Sequence, residues 1–579
     1  MYEILCAGEP GRGLEAAAHE RESAGETARW VWDDTCRWYP GLLDDGVRVE
    51  RAHDLRLAHG ILRHSPLTAG TPFAQMSDAG WDALEPALTG QHSTGRRGND
   101  QGTLNGQRSA GAQGAADGAA SANAAAASLF DTASLFEVDS LFDAEPTTAA
   151  MSGLASLDVE AEWAAQQAAI TASTDPGRLR FLCAAESAAA LAAAEMHHAG
   201  LPWRSDIHDA LLTDRLGPRP PVGQRPERME ALAQQIRAAL DAPRLNPDSH
   251  QELLKAMQYA GTGAHSLRQW EIRDIKHPVI APLLEYKKLS RLLTANGWNW
   301  CDTWVRGGRF RPDYVVGGVV TGRWSATGGG ALQLPKQVRS AVVADPGWVL
   351  VCADVAQLEP RVLAAMSGDQ AMAAAGRGVD MYAGIVDAGV VASRDQAKYG
   401  MLGAMYGGTQ GVSGQVRPAF ARAFPRAIAL VDGAAAAGEG GEVVRTWLGR
   451  GSPRPHPDQM ASNTAVRAWG RFTRNFVVQG TGAEWANMWL AGIRRRLWDM
   501  GETDDGPSGL APHPFTRRPH LVFMVHDEVV IHSPAGMAEA VADGVRAAAS
   551  EAGRLLFGPA SGVEFPLTIA TVPTYAQAK

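Results

Sequence analysis

Short apolar runs in the second half of the chain end at acidic residues. Residues 348–353 form one such run, with the pattern of a buried β-strand, and it ends at Asp354. Residues 521–525 and 529–531 form two more runs, separated only by the His-Asp-Glu of residues 526–528. Two apolar runs joined by so short a polar link predict a β-hairpin with acidic residues at its tip.

Acidic residues at strand ends are candidates for metal binding. A carboxylate in that position is held rigidly and still meets solvent, although Asp354 taken alone is more typical of an ordinary helix start. Two carboxylates about 4 Å apart repel by about 4 kcal/mol at an effective dielectric constant near 20. Bound Mg²⁺ removes that cost because it prefers oxygen ligands. The pattern therefore favours a metal site if Asp354 and Asp527 meet in the fold.

A helical pattern over residues 394–407 presents charged and aromatic side chains at intervals of four. The four residues on this face are Arg394, Lys398, Leu402 and Tyr406. Two cations followed by an apolar platform and an aromatic ring suit a nucleoside triphosphate lying along the helix. Gly400, Gly403 and Gly407 cost about 1 kcal/mol each relative to alanine. We expect close approach of the helix backbone to DNA or substrate to compensate.

The rest of the chain predicts helices and a linker. Residues 28–63 favour a small α/β unit, and residues 160–215 and 225–300 favour helices. Asn246 or Ser249 can cap a helix over residues 251–257. An amphipathic helix follows Pro278. Its polar side carries Lys287, Lys288 and Arg291. That basic stripe is typical either of a surface that grips a duplex or of an ordinary solvated face.

Residues 89–150 predict a disordered linker, because Gly, Ala, Ser, Asn and Gln dominate its first part. Ser-Leu-Phe recurs within it at residues 128–130, 134–136 and 140–142, each time beside acidic residues. The repeat is consistent with a loosely packed amphipathic stretch. It is also consistent with a docking peptide for an apolar groove, and a sliding clamp is one candidate partner.

The composition is that of a soluble globular protein, with 45% hydrophobic and 20% charged residues. A length of 579 residues predicts two to four domains. The sequence contains neither an apolar run of about 18 residues nor a signal-peptide pattern, so a cytoplasmic location without membrane contact is expected. Five cysteines without a CxxC pair argue against a zinc site or disulfide framework. The net charge of −9 weakens the case for nucleic-acid binding, but a local basic channel would still allow it.

Three segments together resemble a known enzyme family. Residues 354–361 (DVAQLEPR), 394–407 and 525–528 (VHDE) are similar to motifs A, B and C of family A DNA polymerases, the bacterial DNA polymerase I type, and follow that family's order. The segments that resemble its primer–template contacts are residues 321–325, 332–335 and 474–481. The resemblance extends over roughly residues 200–579.

The resemblance implies an α+β multidomain fold. The expected architecture is a right-hand polymerase, with a thumb, a palm built on an antiparallel sheet and helical fingers, preceded by a reduced α/β RNase H-like exonuclease-type domain. The expected boundaries are 1–88 and 151–215 for the degenerate 3′–5′ exonuclease-like domain, 89–150 for the linker, 216–300 for the thumb and 301–579 for the palm and fingers, with the fingers at about 370–450.

The resemblance also implies a role for each matching residue. Asp354 and Asp527 would bind two Mg²⁺ ions, which Mn²⁺ is expected to replace. Arg394 and Lys398 would bind the triphosphate, with Lys398 also protonating the leaving group. His526 would contact the primer-terminal phosphate, and Glu528 would be an auxiliary acid. Glu359 would exclude ribose. Gln357 and Leu402 would contact the base and sugar of the dNTP, and Tyr406 would lie at the template position.

The implied DNA contacts lie in the palm and fingers. They are Arg323, Gln333, Arg361, Arg474, Asn475, Gln479, Gly403 and Gly407, of which Arg323 and Gln479 would read minor-groove acceptors. Val355, Pro360, Met401, Leu402 and the glycines at 328–330 depart from the family's usual residues. Because the metal and phosphate residues are retained, activity is expected, with altered rate, fidelity or analogue selection.

The front of the chain lacks the carboxylate pattern that proofreading needs, which includes an Asp-x-Glu on an early strand. The pairs Asp33-Asp34 and Asp44-Asp45 do not have that spacing. The sequence therefore predicts an inactive exonuclease-like domain and no 5′-nuclease domain. Removal of residues 1–150 is expected to leave polymerisation intact.

The implied partners are primer–template DNA and dNTPs, for a monomeric, nucleoid-associated enzyme. Two alternatives stay open: a single-subunit RNA polymerase-like enzyme, which Glu359 argues against, and a non-catalytic DNA-binding relative. Whether such an enzyme replicates or repairs DNA is not decided by the sequence.

Overall fold

The computed structural model describes residues 2–4, 29–76, 80–84, 157–503 and 509–578. The predicted linker, with its Ser-Leu-Phe repeats, lies entirely outside these ranges. The chain divides into two compact units. One consists of Met1–Thr89, Thr148–Thr213 and Thr294–Lys579, and the other of Gly90–Thr147 and Asp214–Leu293. The predicted thumb, residues 216–300, overlaps the second unit, and its boundaries stay a prediction.

The described strands form four sheets. The strands are β1 Tyr2–Ile4, β2 Arg29–Trp32, β3 Arg51–Asp54, β4 Leu201–Pro202, β5 Val305–Arg306, β6 Arg309–Phe310, β7 Asp313–Val315, β8 Ser325–Gly328, β9 Trp348–Val355, β10 His520–Val525, β11 Glu528–Pro534 and β12 Leu567–Val572.

Helices make up most of the remaining structure. They are α1 Thr35–Asp44, α2 Leu55–His64, α3 Pro72–Gln75, α4 Val159–Ala172, α5 Pro176–Ala199, α6 Ser205–Leu216, α7 Glu227–Ala239, α8 His250–Tyr259, α9 Gln269–Ile272, α10 Ile280–Asn296, α11 Trp298–Trp304, α12 Leu358–Ser367, α13 Gln370–Ala375, α14 Met381–Asp387, α15 Arg394–Tyr406, α16 Gly411–Ala423, α17 Pro425–Glu439, α18 Asn463–Asp499 and α19 Ala538–Phe557.

A four-stranded sheet in the order β10-β11-β9-β12 forms the centre of the first unit. Its pairings are all antiparallel. The inner strands β9 and β11 are mainly apolar, and Val351, Ala353, Val529 and Ile531 are completely buried. Helix α19 packs on β9 and on the long helix α18, so the sheet is covered on that side. The three strands predicted at residues 348–353, 521–525 and 529–531 are confirmed, and the structure extends them to residues 348–355, 520–525 and 528–534.

The N-terminal segment forms a parallel sheet in the order β1-β2-β3, next to α1, α2 and α5. This agrees with the α/β unit expected at residues 28–63. The segment is anchored to α18 through Arg494, a buried arginine. Its guanidinium donates to the carbonyl of Glu50 at 2.8 Å and to the carbonyl of Val49. It also binds Glu195 of α5 at 2.6 Å and Tyr39 at 3.2 Å.

The second unit contains α7, α8, α9 and most of α10. Ser249 caps α8, as the sequence predicted. Helix α10 appears where the pattern after Pro278 placed it, but its basic stripe is incomplete. Lys287 is partly buried and its Nζ donates to the carbonyl of Leu267 at 2.5 Å. Burial lowers the pKa of Lys287, so this residue stabilises the unit from within.

Several short helices precede the long α18. Helix α15 packs against α14 and α16, and α17 packs along α18. None of the helices in the described ranges combines the length and apolarity of a membrane-spanning segment.

Candidate active site

The pairing of β9 with β11 brings the two predicted metal ligands to neighbouring backbone positions. Asp354 lies directly opposite Glu528, the residue after Asp527. The amide of Val355 donates to the carbonyl of Asp527 at 3.1 Å. Residues opposite each other in an antiparallel pair have Cα atoms about 4.5–5.5 Å apart. Asp354 and Asp527 are both partly exposed, so their carboxylates stay accessible from solvent.

Two residues of this region have left-handed backbone conformations. His526, at the hairpin tip, has φ 55°, and Gln357, between β9 and α12, has φ 49°. Such conformations are costly for residues other than glycine and tend to occur at functional sites. The side chain of Gln357 accepts a hydrogen bond from the Met381 amide at 3.1 Å, which ties this turn to α14.

Two tyrosines, Tyr314 and Tyr575, lie next to the strands of the hairpin. The hydroxyl of Tyr314 donates to the Met524 carbonyl at 2.5 Å and accepts from its amide at 2.9 Å, just before the hairpin tip. Glu528 is buried and lies near Tyr575. Burial raises the pKa of Tyr575, and the negative charge of Glu528 raises it further. These contacts hold the end of β10 and the start of β11 in place.

Glu359 is held by a hydrogen-bonded network from three segments. It pairs with Arg323 and accepts a hydrogen bond from the Tyr406 hydroxyl at 2.5 Å. Gln479 of α18 in turn hydrogen-bonds Tyr406. Burial and the charge of Glu359 raise the pKa of Tyr406. Four residues that the sequence assigned to substrate or DNA therefore do meet in space.

The cations of α15 lie on its exposed side. Ser393 caps the helix, and Arg394 and Lys398 are both exposed. Arg394 forms an ion pair with Asp380 at 2.6 Å and lies over the ring of Tyr382, 5.5 Å from its centroid. Asp380 was not among the predicted site residues. It caps α14, so an aspartate directly before a predicted helix was the sequence feature that could have identified it.

Arg361 and Arg474 were assigned to DNA, and the structure does not support that assignment. The guanidinium of Arg361 is fully buried and donates to five backbone carbonyls. Arg474 is 5% exposed, donates to the Ala404 carbonyl at 2.6 Å and pairs with Asp432. Both side chains hold neighbouring segments together, and their burial argues against a direct contact with a duplex.

The glycines of α15 are explained by helix packing, which corrects their assignment to DNA or substrate approach. A Cβ at Gly400 would lie 2.7 Å from Phe420 and Val416 of α16. A Cβ at Gly403 would lie 2.6 Å from Ser413. Gly407 ends the helix with φ 76°, a left-handed conformation that favours glycine. The small residues allow α15 and α16 to pack closely.

The remaining predicted DNA contacts have mixed surroundings. Asn475 lies on α18, half-buried, and its Oδ1 has no hydrogen-bond partner within the described residues. Gln333 lies in the short helical turn Ala331–Gln333, and its side chain is outside the described part. Leu402 is partly exposed on α15.

The acidic residues of the N-terminal sheet are used for local structure. Asp33 and Asp34 follow β2, and Asp54 ends β3, at one edge of the parallel strands. Their hydrogen-bond donors are Trp38 and Arg37 for Asp33, Cys36 and Arg56 for Asp34, and Thr35 and Leu57 for Asp54. Burial raises the pKa of Asp54 to about 6. Among the described residues, no three His, Cys, Asp or Glu side chains form a group able to hold a metal.

Comparison with known proteins places this chain in a family. The family model described as DNA polymerase family A matches residues 224–567. DNA polymerase I of Chloroflexus aurantiacus is 27% identical over 333 residues, which cover 52% of this chain and 33% of that protein. The thermostable DNA polymerase I of Thermus aquaticus is 28% identical over 294 residues, 46% of this chain and 33% of that protein. The matched region thus spans about a third of these relatives.

A solved structure is similar in fold. The POL domain of Pol1 from M. smegmatis, in complex with DNA primer-template and dNTP, aligns with a TM-score of 0.57 and 18% identity, over 72% of this chain and 74% of that chain. This likeness confirms the expected α+β right-hand polymerase architecture. Since the family model covers more than half of the 579 residues, the chain belongs to DNA polymerase family A.

Proposed function

We propose that this chain is a template-directed DNA polymerase that adds dNTPs to a primer 3′-hydroxyl. The observation that carries the proposal is the β9–β11 pairing, which brings Asp354 beside Asp527 although the two are far apart in sequence. Family membership and the exposed cations of α15 support it further.

The two aspartates suit divalent ions. Their carboxylate oxygens are the ligands that Mg²⁺ prefers, and Mg²⁺ in such sites is commonly held by one or two carboxylates together with water and substrate phosphates. Asp354 and Asp527 would hold two Mg²⁺ ions, or Mn²⁺ in their place. When bound, the ions would activate the primer 3′-hydroxyl and stabilise the pyrophosphate leaving group.

The side chains of α15 would bind the triphosphate. Lys398 and Arg394 supply positive charge on one exposed face, and Lys398 would protonate the leaving group. Arg394 is paired with Asp380 in the free protein, so triphosphate binding would exchange one anionic partner for another. His526, exposed at the hairpin tip, would contact the primer-terminal phosphate.

Glu359 would select the sugar. Its carboxylate is fixed between Arg323 and Tyr406, so it cannot move freely away from a ribose 2′-hydroxyl. This arrangement favours a deoxyribonucleotide substrate over the RNA polymerase alternative. Arg323 and Gln479 would face the minor groove of the primer–template duplex, where donors to purine N3 and pyrimidine O2 suit every correct pair.

Proofreading is proposed to be absent. The three acidic residues at the N-terminal sheet edge are buried and already accept hydrogen bonds from their own helices and from arginines. Carboxylates in that state are not available to share metal ions without breaking helix caps.

Primer extension by Asp527→Ala tests the proposal. Extension in Mg²⁺ should fall by at least about 1000-fold, since a transition-state metal ligand is lost, while primer–template affinity stays within about twofold. Asp543→Ala is the matched control, because Asp543 is exposed on α19 and forms a surface ion pair with Arg546 of the same helix. Near-normal extension by Asp527→Ala would refute the assignment. Trimming of mismatched 3′ ends in the absence of dNTPs would refute the loss of proofreading.

A further inference from the structure

A buried carboxylate of the N-terminal region reaches into the polymerase core. Glu186 of α5 is 2% exposed. Its Oε1 accepts a hydrogen bond from Arg450 at 2.7 Å, and its Oε2 accepts one from Asn487 of α18 at 2.8 Å. Both oxygens therefore have charged or amide donors, which fixes the carboxylate in one orientation.

The same network continues to the segment that carries Arg323. The Oδ1 of Asn487 accepts a hydrogen bond from the indole Nε1 of Trp324 at 3.0 Å. On the other side of Arg323, Gly322 has φ 88° and lies so close to Arg450 that a Cβ would be 2.5 Å from its Nε. Both immediate neighbours of Arg323 are thus set by partners of Glu186.

Arg323 is in turn the partner of Glu359. The backbone around it is a tight turn, in which the Val319 amide donates to the Arg323 carbonyl at 3.1 Å. The turn fixes the backbone from which the Arg323 side chain extends, and the guanidinium of Arg323 pairs with the Glu359 carboxylate. A shift of Trp324 or Arg450 would therefore move the Arg323 guanidinium relative to Glu359.

We propose that Glu186 is a positioning residue for sugar selection: through Asn487–Trp324 and through Arg450, it holds Arg323 against Glu359. The N-terminal region would thereby tune the selectivity of a site to which it contributes no contacting group. The inference rests on the proposed function, in which Glu359 excludes ribose.

Glu186→Gln tests this role with little change in shape. The neutral amide loses the charged hydrogen bond to Arg450 and presents an N–H₂ where one oxygen accepted a hydrogen bond. We expect the ratio of kcat/KM for dNTP over rNTP to fall at least about fivefold, with KM for dNTP raised more than kcat is lowered. Trp324→Phe removes only the last link of the network and should shift the ratio in the same direction.

Glu195→Gln is the matched control. Glu195 is a second buried glutamate on the same helix, and it pairs with Arg48 and Arg494 rather than with Arg450. This variant should lower the melting temperature while the dNTP/rNTP ratio stays within twofold. Glu186→Gln and Trp324→Phe should both change the ratio even at temperatures well below melting.

The outcome separates this inference from the function on which it rests. Unchanged sugar selectivity in Glu186→Gln and Trp324→Phe, with selectivity lost in Glu359→Ala, overturns the positioning role alone. An equal loss of selectivity in Glu195→Gln also overturns it, because the effect would then be a general result of instability. Unchanged selectivity in Glu359→Ala overturns both the positioning role and the proposed sugar gate.

Discussion

At Gly400 the face of α15 that meets α16 has no room for a side chain. A Cβ there would lie 2.7 Å from Phe420 and Val416, closer than packed carbon atoms approach. Phe420 is almost fully buried, so it cannot turn away into solvent. The glycine therefore sets the distance between two helices, and the exposed face of α15 with Arg394 and Lys398 depends on that packing.

Gly400→Ala should destabilise the protein by about 1–3 kcal/mol, because the added methyl group overpacks the α15–α16 contact. Gly433→Ala on α17 is a suitable control, because a Cβ there meets nothing within 4 Å. That change should stabilise by about 0.4–1 kcal/mol, since alanine has less freedom in the unfolded chain. Urea unfolding of the two variants measures the difference, and equal stabilities would contradict the packing argument.

At the scale of elements, the strands and helices that depend on local sequence were predicted correctly. Strands β9, β10 and β11, the hairpin that joins β10 to β11 and the helix from Arg394 all appear where the local sequence patterns placed them. The sequence did not reveal that Arg361 and Arg474 are buried, because a charged residue in a motif does not show whether a distant segment covers it. Five carbonyls around Arg361 come from Ala356, Gly376, Gly378, Val379 and Glu564.

The site itself was predictable only in part. That Asp354 and Asp527 meet followed from the resemblance, and the strand register supplies the physical reason. The link from Glu186 through Asn487 to Trp324 joins residues that are distant in sequence. No periodicity or spacing signals such a contact, because it depends on how α5 and α18 pack.

Another contact between elements makes stability depend on pH. Glu484 of α18 accepts hydrogen bonds from Thr446 and, at 3.0 Å, from the Leu448 amide. Burial, helped by the charge of nearby Glu186, raises its pKa to about 7 although the two hydrogen bonds and the charge of Arg450 act to lower it. The unfolded carboxyl titrates near 4.5, so between these pH values the folded state binds a proton that the unfolded state has lost. The stabilisation of the folded state by this proton is fully present below about pH 4.5 and is lost as the pH rises to about 7.

Glu484→Gln should remove that pH dependence, because the amide is neutral throughout. Relative to the unsubstituted chain, the variant should gain on the order of 1–3 kcal/mol between pH 5 and pH 8. Urea unfolding at the two pH values gives the comparison. If the free energy of unfolding changed equally in the two proteins between pH 5 and pH 8, the Glu484 carboxyl would be ionised in the folded state at both pH values.

At the scale of the whole molecule, the N-terminal region and the polymerase share buried polar contacts. Arg494 of α18 donates to the carbonyls of Val49 and Glu50, and Tyr39 donates to Glu195 at 2.6 Å. Removal of residues 1–150 is expected to leave polymerisation intact, but these contacts indicate that it would cost stability. Without residues 39–50, the Arg494 guanidinium and the Glu195 carboxylate would lose partners in a dry environment.

Removal of residues 1–150 should therefore lower the melting temperature by at least about 5 °C. Calorimetry on the truncated and complete chains measures this, with primer extension at 25 °C to show whether polymerisation survives below melting. A truncated chain as stable as the complete one would mean that the Arg494 contacts contribute nothing to folding.

The position of β9 between β11 and β12 also has a consequence for how the protein is made. Asp354 is paired with Glu528 on one side and with Thr568 on the other. On a ribosome adding about 5–20 residues per second, β9 leaves the exit tunnel roughly 10–40 s before its last neighbour has been translated. Until β11 and then β12 have been translated, this apolar strand has unpaired edges, and we expect the nascent chain to need chaperone protection before Asp354 and Asp527 can meet.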